Sequence, residues 1–345
     1  MSENSCVYLT EELQPQYQEF VENHPEAMFY HTLKYRELIT RLLGHEENYL
    51  VTLDSDNKIQ AILPLMIKTG SIGAVVNSLP FYGSNGCILA NDDESFNATL
   101  DFYNTHFAEN KDIASTTIIT NPLDSRDTSD KFIHNIKDFR IGQFTKIEYS
   151  ENHDEQLMTS FHHKTRNMVR KAQKLNIHVK IDNDKTDFLY ETHLQNLTAI
   201  GGRPKVKLFF DLYTDVYEAN TDYKIYVAEE NGVTIAALLL FYYNNTVEYY
   251  SPVIVEEHRN KQPLSLLILE AMIDASKAGY KKWNWGGTWA SQEGVYRFKK
   301  RWGTEDTEYF YYTQINNAEV YSCTPEKLLS EYPDTFVIPF QHLKS

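Results

Sequence analysis

Three stretches of this chain concentrate groups that can handle an activated acyl group or a phosphate. The first runs from Trp283 to Gly303. It sets Trp283 and Trp285 before a Gly286-Gly287 step, then places Tyr296, Arg297, Phe298, Lys299, Lys300 and Arg301 in succession. Aromatic faces beside cations suit a sugar, a nucleotide base or a phosphate. Alternate residues of a strand face opposite ways, so part of these aromatics belongs to the core. The second stretch, 162–175, holds five Lys and Arg residues and no acid. On a helix Arg166, Arg170 and Lys174 share a face, with Lys164 and Lys171 beside it. That face can hold phosphates, and it also fits a plain solvated helix. In the third, 256–271, a polar loop with Arg259 and Asn260 leads into an apolar helix beginning at Pro263. A helix N-terminus offers N–H groups and a positive dipole end to a donor phosphate. Pro263 removes one of those donors.

The bulk composition frames these stretches. A length of 345 residues predicts two domains. The formal charge of −15 repels nucleic acid and anionic membranes, so an anionic ligand needs a local basic patch. Cys6, Cys87 and Cys323 are far apart and form no CxxC pair, and the twelve histidines show no HExxH or HxH spacing. No disulfide framework and no metal site are expected. The acidic, polar start lacks the pattern of an export signal, and no apolar run reaches the ~20 residues of a membrane span. A cytoplasmic protein is expected.

The elements that must position these groups follow from periodicity. Helices are predicted over 9–23, with Thr10 as N-cap, and over 32–43, with Gly44 at its end. Strands are predicted over 49–53, 59–68 and 75–79, followed by a glycine-bearing loop, 80–86. A helix over 96–109 and a strand over 116–120 complete the first half. The second half predicts a helix over 156–175, a strand over 177–181, and helices over 186–200 and 207–218. Strands over 223–229, 233–243 and 246–251 follow, then a helix over 263–278 with Pro at its start and Gly279 at its end, and a strand over 282–285.

Three anchors recur at an offset near 174. The turn at Asn57-Lys58 matches Asn231-Gly232, Leu63-Pro64-Leu65 matches Leu238-Leu239-Leu240, and Ser78-Leu79-Pro80 matches Tyr250-Ser251-Pro252. The repeat predicts two copies of one fold, with domains 1–152 and 153–345. A terminal strand is expected near 336–340, in a monomer or a homodimer.

At the first stretch a family resemblance enters. Gly294-x-Tyr296-x-Phe298-Lys299-x-x-Trp302-Gly303 resembles the G-x-Y-x-F-K-x-x-F/W-G signature of FemAB-like transferases, within the wider GNAT superfamily. Lys164-x-Arg166-x-x-x-Arg170-Lys171-Ala172 looks like that family's K-x-R helix. Arg259-x-x-x-Pro263-x-x-Leu266-Leu267 looks like its phosphate-loop helix. Phe29-x-His31-Thr32 and Leu79-Pro80-Phe81-x-Gly83 look like first-domain features. The resemblance covers about residues 25–315. It implies an α/β (α+β) fold of two tandem GNAT-like domains, each a mixed, mostly antiparallel sheet flanked by helices.

The resemblance also implies an N-acyltransferase (BioF2-like acetyltransferase or peptidoglycan-bridge aminoacyltransferase relatives). The donor would be acyl-CoA or aminoacyl-tRNA, with no tightly bound cofactor. The acceptor would be a small-molecule amine or a nucleotide sugar, such as an amino sugar or cell-envelope precursor. The acidic charge disfavours tRNA. Lys299 takes the catalytic role. Arg259, Asn260 and Pro263 would orient the donor. Lys164, Arg166, Tyr250, Trp285, Gly287, Tyr296 and Phe298 would bind substrate, with Tyr82 and Gly83 on an acceptor-lining loop. A non-catalytic nucleotide-sugar or cell-wall-precursor binding protein is the alternative on the same fold.

Overall fold

The computed structural model describes residues 4–344 apart from 82, 84, 125, 127, 129, 130 and 290. By compactness the chain divides into two units, residues 1–140 with 308–345, and residues 141–307.

The first unit opens with β1 (Ser5–Tyr8), α1 (Gln14–Asn23) and α2 (Leu33–Leu43). Helical spacing shapes α2 as expected. Tyr35, Leu38 and Ile39 are buried, the Thr32 side chain accepts from the Tyr35 N–H, and Gly44 ends the helix at φ 62°. The segment 9–23 is not one helix. Thr10 makes no side-chain cap, a short 3-10 turn follows, and α1 begins at Gln14 with Pro15 in its first turn. Then come β2 (Glu46–Glu47), β3 (Leu50–Leu53), β4 (Ile59–Leu63), β5 (Met66–Gly70), β6 (Gly73–Asn77), β7 (Leu89–Ala90), α3 (Asp93–Tyr103) and β8 (Ile113–Ile119). The strand expected over 59–68 is two strands. Pro64 lacks an N–H for the ladder, and the chain changes sheet there: β4 pairs with β3 and β7, whereas β5 pairs with β2 and β6. The β6–β8 pair is parallel.

The remaining elements are β9 (Ile136–Lys146), α4 (His153–Ser160), α5 (His163–Gln173), β10 (His178–Ile181), α6 (Thr186–Ala199), α7 (Lys207–Val216), β11 (Tyr223–Glu230), β12 (Val233–Tyr243), β13 (Thr246–Ile254), α8 (Pro263–Lys277), β14 (Lys282–Thr288), α9 (Glu293–Lys300), β15 (Thr304–Ile315) and α10 (Pro325–Glu331). In the second unit the strands run β10-β11-β12-β13-β14-β9, antiparallel except for the parallel β13–β14 pair. Its core gathers apolar residues of α8 with Leu238, Leu240, Val247, Trp283, Trp285 and Trp302.

The single helix expected over 156–175 is two helices. Phe161 turns extended at ψ 149°, and its ring enters the core 5.0 Å from that of Trp302. The His162 side chain then caps α5 by accepting from the Lys164 N–H.

Both units carry the repeat. Each has a hairpin turned by an Asn at positive φ (Asn57 at 59°, Asn231 at 52°), and each has a helix, α3 or α8, leading into a strand that pairs in parallel. Each then takes an antiparallel strand from far along the chain. Residues 141–146 of β9 register on β14, and residues 311–315 of β15 register on β8. The compact units therefore divide at 140/141 and 307/308, not at the expected 152/153. Neither β9 nor β15 was anticipated from periodicity.

The tail forms no strand over 336–340. Asn77 donates to the Phe336 carbonyl and accepts its N–H, both at 2.7 Å, and Ser115 donates to the Val337 carbonyl at 2.6 Å. Val337 and Ile338 lie in a core with Ile72, Val75, Ala114 and Ile136. Pro333 and Pro339 bracket the segment and interrupt any ladder.

Candidate active site

The site is built where β13 and β14 part. Their parallel register runs from Thr246↔Lys282 to Glu248↔Asn284, and the strands continue to Ile254 and Thr288. Both carry an irregularity just beyond that point. Leu239 and Leu240 of β12 face Ser251 and Tyr249, so Tyr250 is an extra residue on β13. Asn284 and Gly287 of β14 face Phe144 and Gly142, so Trp285 and Gly286 together oppose one residue of β9. Gly286 sits at φ 70°, open to glycine at little cost. Bulges of this kind re-aim side chains and free backbone groups next to functional sites.

Lys299 fills that fork. It comes from α9, a helix that residues 293–300 did not advertise, since Gly294 lowers its propensity and its inward position is a lysine. The residue is 7% exposed. Its Nζ donates to the carbonyls of Gly286 and Gly287, each at 3.2 Å, and to Thr288 Oγ1 at 2.8 Å. Burial pulls its pKa down to about 8, because a charged amine loses hydration there. Three acceptors match its three donors.

Polar side chains support the fork from both strands. Asn284 Nδ2 donates to both oxygens of the buried Glu248, at 3.1 and 2.9 Å, and Asn284 Oδ1 accepts from the Gly286 N–H at 2.8 Å. Thr288 donates to Gln143, whose amide in turn reaches Thr304 and the Tyr296 carbonyl. Tyr296 donates its hydroxyl to Asp306 at 2.7 Å, and that bond with the carboxylate charge raises the phenol's pKa.

The other expected residues fall into distinct places. Tyr250 stacks on Phe209 at 5.5 Å and meets Phe241 edge-on at 5.0 Å. Trp285 is packed into the core. It is 2% exposed, donates its indole N–H to Thr145, and packs on Tyr249, Phe298 and Trp302. Phe298 is half-buried on the same cluster. Arg166 is committed to structure: it donates to the Phe161 and Thr159 carbonyls and so caps the end of α4. Lys164 is exposed, and among the described residues no ion pair engages it. Arg259 grips Glu256, and Asn260 lies in the same 3-10 turn before α8, which starts at Pro263 after Gln262 at φ 61°. Gly83, at φ 73°, belongs to the first unit, and Tyr82 lies outside the described residues.

Sequence reasoning missed Glu248, Asn284, Gln143, Lys205 and His193. Lys205 ends the Gly201-Gly202-Arg203-Pro204 turn between α6 and α7. Its Nζ lies 3.3 Å from Ser251 Oγ and 5.1 Å from the centre of the Tyr250 ring, and burial pulls its pKa down to about 8. His193 accepts the Lys205 backbone N–H at 3.0 Å, and burial, aided by the Lys205 charge, lowers its pKa to about 4. A Gly-Gly turn ending on a lysine was a usable signal. A buried Glu-Asn pair inside apolar strands gives none.

The comparisons with known proteins bear on the same region. Residues 159–300 match the family described as an acetyltransferase (GNAT) domain. Among solved structures the chain is similar to FemX, at 16% identity over 92% of this chain and 98% of that one, with a TM-score of 0.68. It is also similar to a conserved protein of unknown function from Bacteroides thetaiotaomicron, at 10% identity, 91% and 100% coverage and a TM-score of 0.57. The C-terminal domain of a putative lysylphosphatidylglycerol synthetase from Agrobacterium fabrum matches at 10% identity, 88% and 91% coverage and a TM-score of 0.50. No curated protein matches the chain. Residues 159–300 thus match a GNAT acetyltransferase domain model, and the fold of the chain, mixed sheets flanked by helices, is like that of FemX. Among the described residues no cluster is placed to hold a metal ion, and no helix is long and apolar enough to cross a membrane.

Proposed function

We propose that the chain transfers an acyl or aminoacyl group from an activated donor, acyl-CoA or aminoacyl-tRNA, to an amine on an amino sugar or cell-envelope precursor. The amine nitrogen attacks the donor carbonyl carbon, a C–N bond forms, and the C–S or C–O bond breaks. The leaving thiolate or alkoxide takes up the proton that the amine loses. The observation that supports this reading is the Lys299 amine, held in the fork by three protein acceptors so that its positive charge, not a free N–H, acts at the site. Such a cation stabilises negative charge on the carbonyl oxygen at little reorganisation cost. Arg259, Asn260 and the first turn of α8 orient donor phosphates. Lys164 and Lys205 take anionic groups of the acceptor, with Tyr250 as an aromatic wall and Tyr296 and Gly287 at the fork.

Thermal shift with acetyl-CoA, UDP-N-acetylglucosamine and aminoacylated tRNA separates the donors and acceptors. Stabilisation by the sugar nucleotide alone would favour a binding protein without turnover. With a donor in hand, Lys299→Ala is expected to keep the circular dichroism of the fold and lose at least about 100-fold in kcat. Full turnover in that variant would remove Lys299 from the chemistry.

A further inference from the structure

Lys299 reaches two carbonyl groups that β-strands normally turn sideways into the ladder. Their inward turn depends on the Gly286 bulge, and the bulge in turn exposes the Gly286 N–H. That N–H is answered by Asn284 Oδ1 at 2.8 Å. A side-chain amide presents an oxygen one way and donors the other, and either orientation fits a cavity of this shape. What sets the orientation is Glu248. Both carboxylate oxygens of Glu248 accept from the Nδ2 of Asn284, which leaves the amide oxygen to face the Gly286 N–H. Glu248 and Asn284 are 3% and 2% exposed, so water does not substitute for either partner.

We propose that Glu248 and Asn284 are positioning residues: the carboxylate orients the amide, the amide holds the bulge, and the bulge carbonyls aim the Lys299 amine. The pair touches neither donor nor acceptor in this scheme. It rests on the reading of Lys299 as the catalytic cation, and its geometry can be tested apart from that reading. On α9 Arg297 pairs with Glu293 and Lys300 with Asp306, and from β13 the buried Glu248 carboxylate faces Asn284.

The test reverses the polarity of the pair. Asn284→Asp sets carboxylate against carboxylate and adds a buried charge. Combining it with Glu248→Gln restores the net charge and lets the new amide at 248 donate to the new carboxylate at 284, which still accepts the Gly286 N–H. The first readout needs no substrate. Trace acetylation of Lys299 by acetic anhydride across about pH 6 to 11, quantified by peptide mass spectrometry, reports the amine's own titration and exposure. The expected result is an altered labelling profile for Asn284→Asp and a return to the wild-type profile in the double variant. Wild-type labelling in Asn284→Asp overturns the proposal. So does a double variant no closer to wild type than the single one while its melting temperature is intact.

The second readout is turnover with whichever donor stabilises the protein. Asn284→Asp should lower kcat about ten-fold with KM little changed, and the double variant should recover most of it. If Lys299→Ala retains full turnover, the catalytic reading fails, and the labelling result still decides the positioning role. If the single variant does not fold, the comparison moves to Glu248→Gln alone. There the amide offers a donor as well as an acceptor to Asn284, so the orientation is no longer imposed and an altered labelling profile is expected. Wild-type labelling in Glu248→Gln means that the carboxylate does not orient the amide, and it too overturns the proposal.

Discussion

Two kinds of base shifted by burial mark this protein at the scale of single residues. Lys299 and Lys205 are amines drawn down to about 8 by burial, and His31 and His193 are imidazoles drawn down to about 3 and about 4. The lysines sit where the second unit's strands part or beside the Tyr250 ring, and the shift keeps them near a working range for charge stabilisation. His31 is packed in the first unit, where its Nδ1 accepts the Met28 N–H at 3.1 Å. A prediction on pH follows from the direction of these shifts. In the unfolded chain both histidines bind protons below about pH 6.5, whereas the folded chain resists until about 3 to 4. The unfolded state therefore binds more protons across that window, and stability falls as the pH drops through it. For the lysines the window is about 8 to 10.5, and their share of stability rises with pH there. Urea unfolding of the wild type and of His31→Gln over a pH series reads this. The gap between the two should change below about pH 6.5. A constant gap would mean that His31 is not a buried neutral base.

At the scale of elements, the break between α4 and α5 changes what the basic stretch 162–175 can do. A continuous helix would have shown Arg166, Arg170 and Lys174 as one equivalent row. Instead the break frees the carbonyls of Thr159 and Phe161, and Arg166 is drawn in to satisfy them. Arg166→Met is expected to cost about 1 kcal/mol in stability, because a half-buried carbonyl loses a charged donor. Lys164→Ala should leave stability unchanged and weaken any phosphate-bearing ligand. Chemical denaturation and a binding isotherm on the pair of variants separate the roles. Equal stability loss in both would show that Lys164 is also structural. The same element-level reasoning applies to β14. Read as a strand ending at 285, it gives no reason for Gly286 and Gly287 to matter. As a bulged strand running to Thr288, it makes their carbonyls the seat of Lys299.

On the scale of the whole molecule, the two units are completed by strands that are distant in sequence. The first unit's core includes Val320, Cys323, Leu328, Tyr332, Val337 and Ile338 from the tail, and β15 lies in register on β8. A chain ending at Asn317 should therefore expose Ile72, Val75 and Ala114 and lose the cooperative unfolding of the first unit. Differential scanning calorimetry with a dye for exposed apolar surface would show it. An unchanged transition in the truncated chain would mean that the tail is peripheral. Such an outcome is hard to reconcile with the hydroxyl of Tyr332 donating to the Gly73 carbonyl at 2.8 Å and with Asn77 bonded both ways to Phe336.

Local pattern determined much of this protein from the sequence alone. Apolar spacing and capping residues placed α2, α6, α7 and α8, and the Asn-turned hairpins exposed the repeat. The motif ending at Trp302-Gly303 pointed to a FemAB-like fold and to Lys299. These features are written in neighbours three, four or two residues apart, so a single stretch carries them. The tertiary structure alone decided where the units divide, because β9 and β15 take partners that no local pattern names. It alone turned Trp285 inward, committed Arg166 to a helix end, and brought Glu248 and Asn284 together across parallel strands. Burial of a charge is a property of the surroundings, not of the residue. That is why Lys299 was legible as a position, while its three acceptors and the pair behind them were not.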